Sequence, residues 1–159
     1  MGLQILKNKI KASKKIREYF INKYYHPNIQ INLPNKLLQF ANTSIDISDG
    51  LIADLEKLIN KQKLSYRLSL NSIPISVNLT KLLFTKKLNK VSFISQGDDY
   101  QILFTADPSK SRIIAKTAKS LSIKISKIGK ICNPSQKSEI IDEKQKKIAL
   151  KYKGFYHNF

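Results

Sequence analysis

Residues 44–59 read Ser-Ile-Asp-Ile-Ser-Asp-Gly-Leu-Ile-Ala-Asp-Leu-Glu-Lys-Leu-Ile, and their periodicity changes midway. Ser44 to Ile47 is a short extended run. From there Leu51, Ile52, Leu55, Leu58 and Ile59 fall at the i, i+1, i+4, i+7 and i+8 positions of a single helix face. A short strand that turns through Asp46-Ile47-Ser48-Asp49-Gly50 into an amphipathic helix points to an α/β architecture.

Carboxylates are scarce, with 11 Asp and Glu against 29 Lys and Arg, so two of them bracketing a serine at such a turn need a reason. Two readings compete. In one, Ser48 or Asp49 is the helix N-cap, worth about 1 kcal/mol, and Asp46 is a solvated strand-end residue. In the other, Asp46 and Asp49 offer hard oxygen ligands to Mg²⁺, which keeps several waters and shares its remaining sites with substrate phosphates. Ser48 and the helix amides would then face a phosphate. Spacing alone favours the cap.

A second acidic knot lies at Gln96-Gly97-Asp98-Asp99-Tyr100, ahead of the apolar run Ile102-Leu103-Phe104. Adjacent carboxylates entering a buried strand are costly unless a cation or hydrogen-bond donors accompany them. A β-turn with solvated aspartates is the alternative.

Elsewhere the pattern alternates between helix and strand. Residues 3–25 read as helical with a break near Ala12 and Ser13, and His26-Pro27 ends that helix. Pro34 opens a helix covering Leu37, Leu38 and Phe40. Leu64 to Leu70 alternates strictly, as in a half-buried strand, and Asn71 to Pro74 is a turn. Val77 to Phe84 is a short helix or an irregular apolar segment, and Val91 to Ser95 is a strand or a helix end. Pro108 opens a helix bearing Ile113, Ile114, Thr117, Ala118 and Leu121. Ile123, Ile125 and Ile128 then alternate as a strand stopped at Gly129, and Ile140–Asp142 and Ile148–Leu150 form two edge segments around a lysine-rich turn. The fold class is α/β: a layered sandwich with a mixed β-sheet packed by helices, residues 1–33 forming a helical appendage ahead of the domain at 34–159.

The formal net charge of +18 raises nucleic acid as a partner, since a basic surface gathers phosphate by releasing counterions. Arginine occurs only at Arg17, Arg67 and Arg112, and lysines are spread along the chain, which favours solvated lysine faces. No stretch approaches the ~20 apolar residues of a membrane span and the N-terminus lacks signal-peptide order, so a cytoplasmic protein with no membrane partner is expected. The single cysteine, Cys132, excludes an intrachain disulfide and reads as a buried small hydrophobe. His26 has no ligand neighbours at metal spacing and reads as helix-end packing. The aromatic tail from Tyr152 to Phe159 either closes the core or stacks on a flat ligand.

Three stretches in this order, IDISDGLIADL, QGDDYQILFTA and KGFYH, with ISKIGKI before the last, resemble the C-terminal half of the thiamine-monophosphate kinases, of the aminoimidazole ribonucleotide synthetase superfamily. The resemblance implies transfer of the terminal phosphate of ATP to thiamine monophosphate with several Mg²⁺ ions. By motif it makes Asp46 and Asp49 metal ligands, Ser48 a nucleotide contact, Asp98 a substrate-binding acid and Phe155 the aromatic that packs on the substrate rings. It assigns no separate catalytic residue. It implies a homodimer in the full-length family, or pairing with a separate N-terminal domain. Nothing here resembles that domain, which carries an aspartate cluster and most ATP contacts, so the chain alone is expected to bind nucleotide and Mg²⁺ weakly without turnover. Gln96 stands where the family usually has glycine, and Gln101 where it commonly has glutamate. The rival readings are a non-catalytic remnant or partner-binding domain, and a lysine-rich nucleic-acid-binding module.

Overall fold

The computed structural model describes residues 1–60, 62–150 and 154. Helices α1 (Gly2–Leu6) and α2 (Lys14–Tyr25) open the chain; α2 begins just after the expected break at Ala12 and Ser13, but α1 ends at Leu6, so residues 7–13 are not helical, contrary to expectation. Ser13 holds the N-cap position of α2, though its side chain makes no bond to the helix amides. Just after α2 come His26 and Pro27, and the residue before a proline is pushed out of the helical region. The single turn α3 (Pro34–Leu37) starts on its proline and buries Leu37, with Phe40 buried just beyond it. Leu38, expected on that face, is 88% exposed, because adjacent helical residues point about 100° apart.

Strand β1 (Ala41–Asp46) leads through the first acidic knot into α4 (Leu51–Asn60), as the change of periodicity predicts. There follow β2 (Ser65–Ser69), α5 (Val77–Thr85), the single turn α6 (Val91–Ile94), β3 (Ile102–Ala106), α7 (Ser111–Ser120), β4 (Gly129–Cys132) and β5 (Glu139–Ile141). The strands form two sheets. β1 pairs antiparallel with β3, and β2 is the centre of a three-stranded mixed sheet, antiparallel to β4 and parallel to β5.

α4 joins the two sheets. Its Leu51, Ile52, Leu55 and Ile59 are buried in one cluster with Tyr66 and Leu68 of β2, Ile140 of β5 and Leu103 of β3. Each such side chain contributes about 1.5–3 kcal/mol on leaving water, so this one helix face is a large part of the core. A second cluster packs Ile5 and Phe20 of the N-terminal helices on Leu82 of α5. The third gathers Leu33, Leu37 and Phe40 with Ile102 and Phe104 of β3 and the apolar side of α7.

Three expectations are corrected. Ile123, Ile125 and Ile128 do not form a strand; the strand begins at Gly129, where the run was expected to stop. Register decides this, since Leu68 pairs with Gly129 and Ser65 with Cys132, while Ile123 and Ile125 pack into the third cluster without laddering. The alternation in β2 is also incomplete. Ser65 and Tyr66 are both buried because this strand is central: the Ser65 hydroxyl donates to the Asn133 carbonyl at 2.8 Å, and the Tyr66 hydroxyl donates to Glu56 of α4 at 3.2 Å. Cys132 is half-buried, not buried.

β2 and β5 are fastened at their edge by charge. Arg67 and Glu139 are register partners, and the Glu139 carboxylate also accepts from Lys147 at 2.8 Å. The Lys147 hydrogen bond first, then the charges of Lys147 and Arg67, hold the Glu139 pKa below its ordinary 4.5. A lowered pKa makes this contribution present above the ordinary glutamate range and lost as pH falls through the lowered value. Glu139→Gln is therefore expected to lower the urea midpoint slightly at pH 7, and the gap to the parent should close on acidification below 4.5. A gap that stays constant down to acid pH would show that the ion pair contributes nothing.

Candidate functional site

The two acidic knots lie side by side because the pairing of β1 with β3 continues past the strand ends. Asp46 is opposite Ile102. Beyond it the Ile47 amide donates to the Gln101 carbonyl at 2.8 Å, the Tyr100 amide to the Ile47 carbonyl at 2.9 Å, and the Asp98 amide to the Ser48 carbonyl at 3.0 Å. These bonds hold Asp98 and Tyr100 at φ of 65° and 50°, the left-handed region that non-glycine residues rarely occupy. Gly97 permits the approach, since a Cβ there would stand 1.9 Å from the Ser48 carbonyl oxygen. Gly50 has φ of +120° and packs on the Ser95 carbonyl, so it too has no room for a side chain.

Gly154 lies against the first turn of α4, where a Cβ would fall 2.7 Å from the Asp49 carbonyl oxygen and 2.5 Å from the Ala53 Cβ. The two acidic knots, and Gly154 of the third motif-bearing stretch, therefore meet at the β1–α4 turn.

A residue that sequence reasoning passed over governs that turn. Asp54 is 1% exposed, and its Oδ2 accepts the backbone N–H groups of Ser48, Asp49 and Gly50 at 3.0, 3.0 and 3.1 Å. Its Oδ1 accepts from the Lys57 ammonium at 2.9 Å, and Lys57 also donates to Asp49 Oδ2. Hydrogen bonds to Asp49 and then to Asp54 push the Lys57 pKa above its ordinary value. A signal was present in the sequence: position 54 lies three residues after Leu51 and four before Leu58, so a carboxylate interrupts the apolar stripe.

This changes both readings of the knot. Neither Ser48 nor Asp49 caps α4, because the Gly50 carbonyl accepts the Asp54 amide at 3.0 Å and so takes the cap position. The amides of residues 48–50, expected to face a phosphate, are taken by Asp54. The hydroxyl is what Ser48 retains for reaching an anion.

Asp46 and Asp98 are exposed, and Asp49 is half-buried. Phe155 lies outside the described residues. Among the described residues no three His, Cys, Asp or Glu side chains stand close enough to enclose a metal ion. The donor set suits a hard cation in part: Asp49 is a carboxylate that already holds a positive charge, and Mg²⁺ takes one or two carboxylates with the remaining positions filled by water and phosphate. Among the described residues no helix is long and apolar enough to cross a membrane.

No family model matches the chain. It is 34% identical over 158 residues, 98% of its length, to the thiamine-monophosphate kinase of Buchnera aphidicola subsp. Acyrthosiphon pisum, of which it covers 48%. The crystal structure of thiamine-monophosphate kinase from Stenotrophomonas maltophilia K279a is similar to it with a TM-score of 0.76 at 24% identity, covering 89% of this chain and 45% of that one. A structure of AaThiL complexed with AMPPCP and TMP is similar with a TM-score of 0.74 at 22% identity, covering 98% of this chain and 47% of that one. The mixed α/β fold is thus that of the thiamine-monophosphate kinase structures, and the chain spans about half the length of the relatives it matches.

Replacing Asp54 tests its hold on the turn. Asp54→Ala strands three amide donors and should cost about 3 kcal/mol or more. Asp54→Asn, which keeps one acceptor oxygen, should cost less. Both should speed amide hydrogen exchange at Ser48, Asp49 and Gly50. Unchanged exchange there would mean that the turn holds its shape without the carboxylate.

Proposed function

We propose that this chain, homologous along nearly its whole length to the thiamine-monophosphate kinases, a family of phosphotransferases, acts as the C-terminal half of such an enzyme. It supplies one wall of the site where the terminal phosphoryl group of ATP passes to the phosphate of thiamine monophosphate, giving thiamine diphosphate and ADP. The observation that carries this reading is the backbone ladder that sets residues 46–50 beside 97–101, with Gly154 against Asp49. The complex of a relative with AMPPCP and TMP supports a nucleotide beside a second ligand.

Phosphoryl transfer between two phosphates asks little covalent work of a protein; positioning and charge neutralisation do most of it. Asp46 and Asp49 would hold Mg²⁺, which would supply the positive charge that screens donor from acceptor. The Ser48 hydroxyl contacts the nucleotide. Asp98, across the ladder from Ser48, and Phe155 at the tail hold the thiamine end. Asp54 takes no part in the chemistry; it fixes the backbone from which Ser48 and Asp49 project.

These residues make one wall, and the other belongs to the half of the relatives' length that the chain does not span. The proposal includes assembly with that half, as a separate domain or within a homodimer. Alone, the chain binds nucleotide and Mg²⁺ weakly and does not turn over. The decisive measurement mixes the purified chain with a separately made N-terminal half of a relative and assays thiamine diphosphate. Activity should appear on mixing and vanish in Asp46→Asn and Asp49→Asn. Steady turnover by the 159-residue chain alone would overturn the half-site reading, and inactivity despite demonstrated assembly would favour a non-catalytic remnant.

A further inference from the structure

Lys57 occupies an unusual position for a lysine on an exposed helix face. Its ammonium donates to Asp49 and to Asp54 at once, so a single positive charge sits where two carboxylates approach each other. The three partners differ in freedom. Asp54 is 1% exposed and tied to three backbone amides, whereas the Lys57 side chain is 42% exposed on a flexible four-carbon stem. Lys57 can swing into water with no backbone movement, and Asp54 cannot leave.

We infer that Lys57 is a positioning residue, a tethered cation that holds Asp49 beside Asp54 and yields Asp49 to an incoming divalent ion. This rests on the proposed role of Asp49 as a metal ligand. In the absence of metal, two carboxylates sharing a site would repel each other. The ammonium offsets that repulsion and keeps the Asp49 oxygen beside Asp54. When a divalent cation binds Asp49, the Lys57 stem moves to solvent, and the three amide bonds to Asp54 preserve the turn. The site is thereby preorganised without metal, at the expense of a competing positive charge that the metal must displace.

The competition has a direct readout in Mn²⁺ binding, followed by the electron paramagnetic resonance signal of the free aquo ion titrated against the full chain. Lys57→Gln should bind Mn²⁺ about two- to five-fold more tightly, the range expected for releasing one exposed ion pair. Lys57→Arg, which keeps the charge, should match the parent. Lys116→Gln on α7 removes an equal charge elsewhere and should also match it. Asp49→Asn should bind more weakly, and in that background Lys57→Gln should bring no gain. If Asp49→Asn weakens binding and Lys57→Gln fails to tighten it, the inference falls and the ligand role of Asp49 stands. If neither change affects binding, Asp49 is not a ligand and both readings fall. A gain from Lys57→Gln that persists in the Asp49→Asn background, or an absence of Mn²⁺ binding in every variant, also overturns the inference.

Discussion

The Asp54 carboxylate is the constraint on which the candidate site depends. Burying an ionised carboxylate costs several kcal/mol unless donors replace the lost water. Here the donors are three consecutive backbone amides and one ammonium. The arrangement works in both directions. The amides of residues 48–50 lie in the turn ahead of α4, and the carboxylate has no water; each satisfies the other. A helix side chain thus closes the turn that precedes its own helix, and the shape of residues 48–50 becomes part of the α4 core.

Two sets of contacts lock the turn from the outside. The continued β1–β3 ladder fixes its distance from residues 97–101, and glycines at 50 and 97 allow backbone to meet backbone where any side chain would collide. α4 then transmits this placement to the whole molecule, because the face opposite the acidic knot is buried against both sheets. A rigid helix with one end in the core and the other at a strand end is a suitable mount for groups that must keep their positions within a fraction of an ångström.

Where the sequence was legible, the signal was local. The switch of period at residues 44–59 marks β1, the turn and α4 because each depends on its own side chains facing one way. Proline and the residue before it set the ends of α2 and the start of α3 for the same reason. What was not legible depends on partners distant in sequence. The alternation at Ile123 and Ile125 satisfies a packing pattern without a strand neighbour, which is reached only at Ile128, whose carbonyl accepts the Ser69 amide; periodicity cannot register where a hydrogen-bonded edge begins. Val91 to Ile94 is four residues long, too short for either period to show, and proves to be one helical turn. Asp54 shows locally only as a carboxylate that interrupts the apolar stripe of α4; nothing in that stripe reveals that the amides of residues 48–50 fold back onto it. The two acidic knots stand out as rare acids in a basic chain, while the expected roles of Asp46 and Asp49 as metal ligands and of Asp98 as a substrate-binding acid come from the family resemblance; neither route picks out Asp54, which organises residues 48–50.

Charge presents the site with two demands. Under the proposed function, a chain of formal charge +18 would draw phosphate-bearing ligands from a distance but also repel the divalent cations that accompany them. Screening reconciles the two, because at physiological ionic strength fields fade over about 8 Å, and beyond that length a ligand feels only a softened average. Within it, local carboxylates decide, and the acidic knots are pinned to one another inside that range by backbone hydrogen bonds. Asp49, Asp54 and Lys57 then form a group of net charge −1, a negative point in a positive surround. A cation arriving with its phosphate ligand, as the proposed function requires, would meet a steered approach for the anion and a local acceptor for itself, which neither the basic surface nor the acidic turn could supply alone.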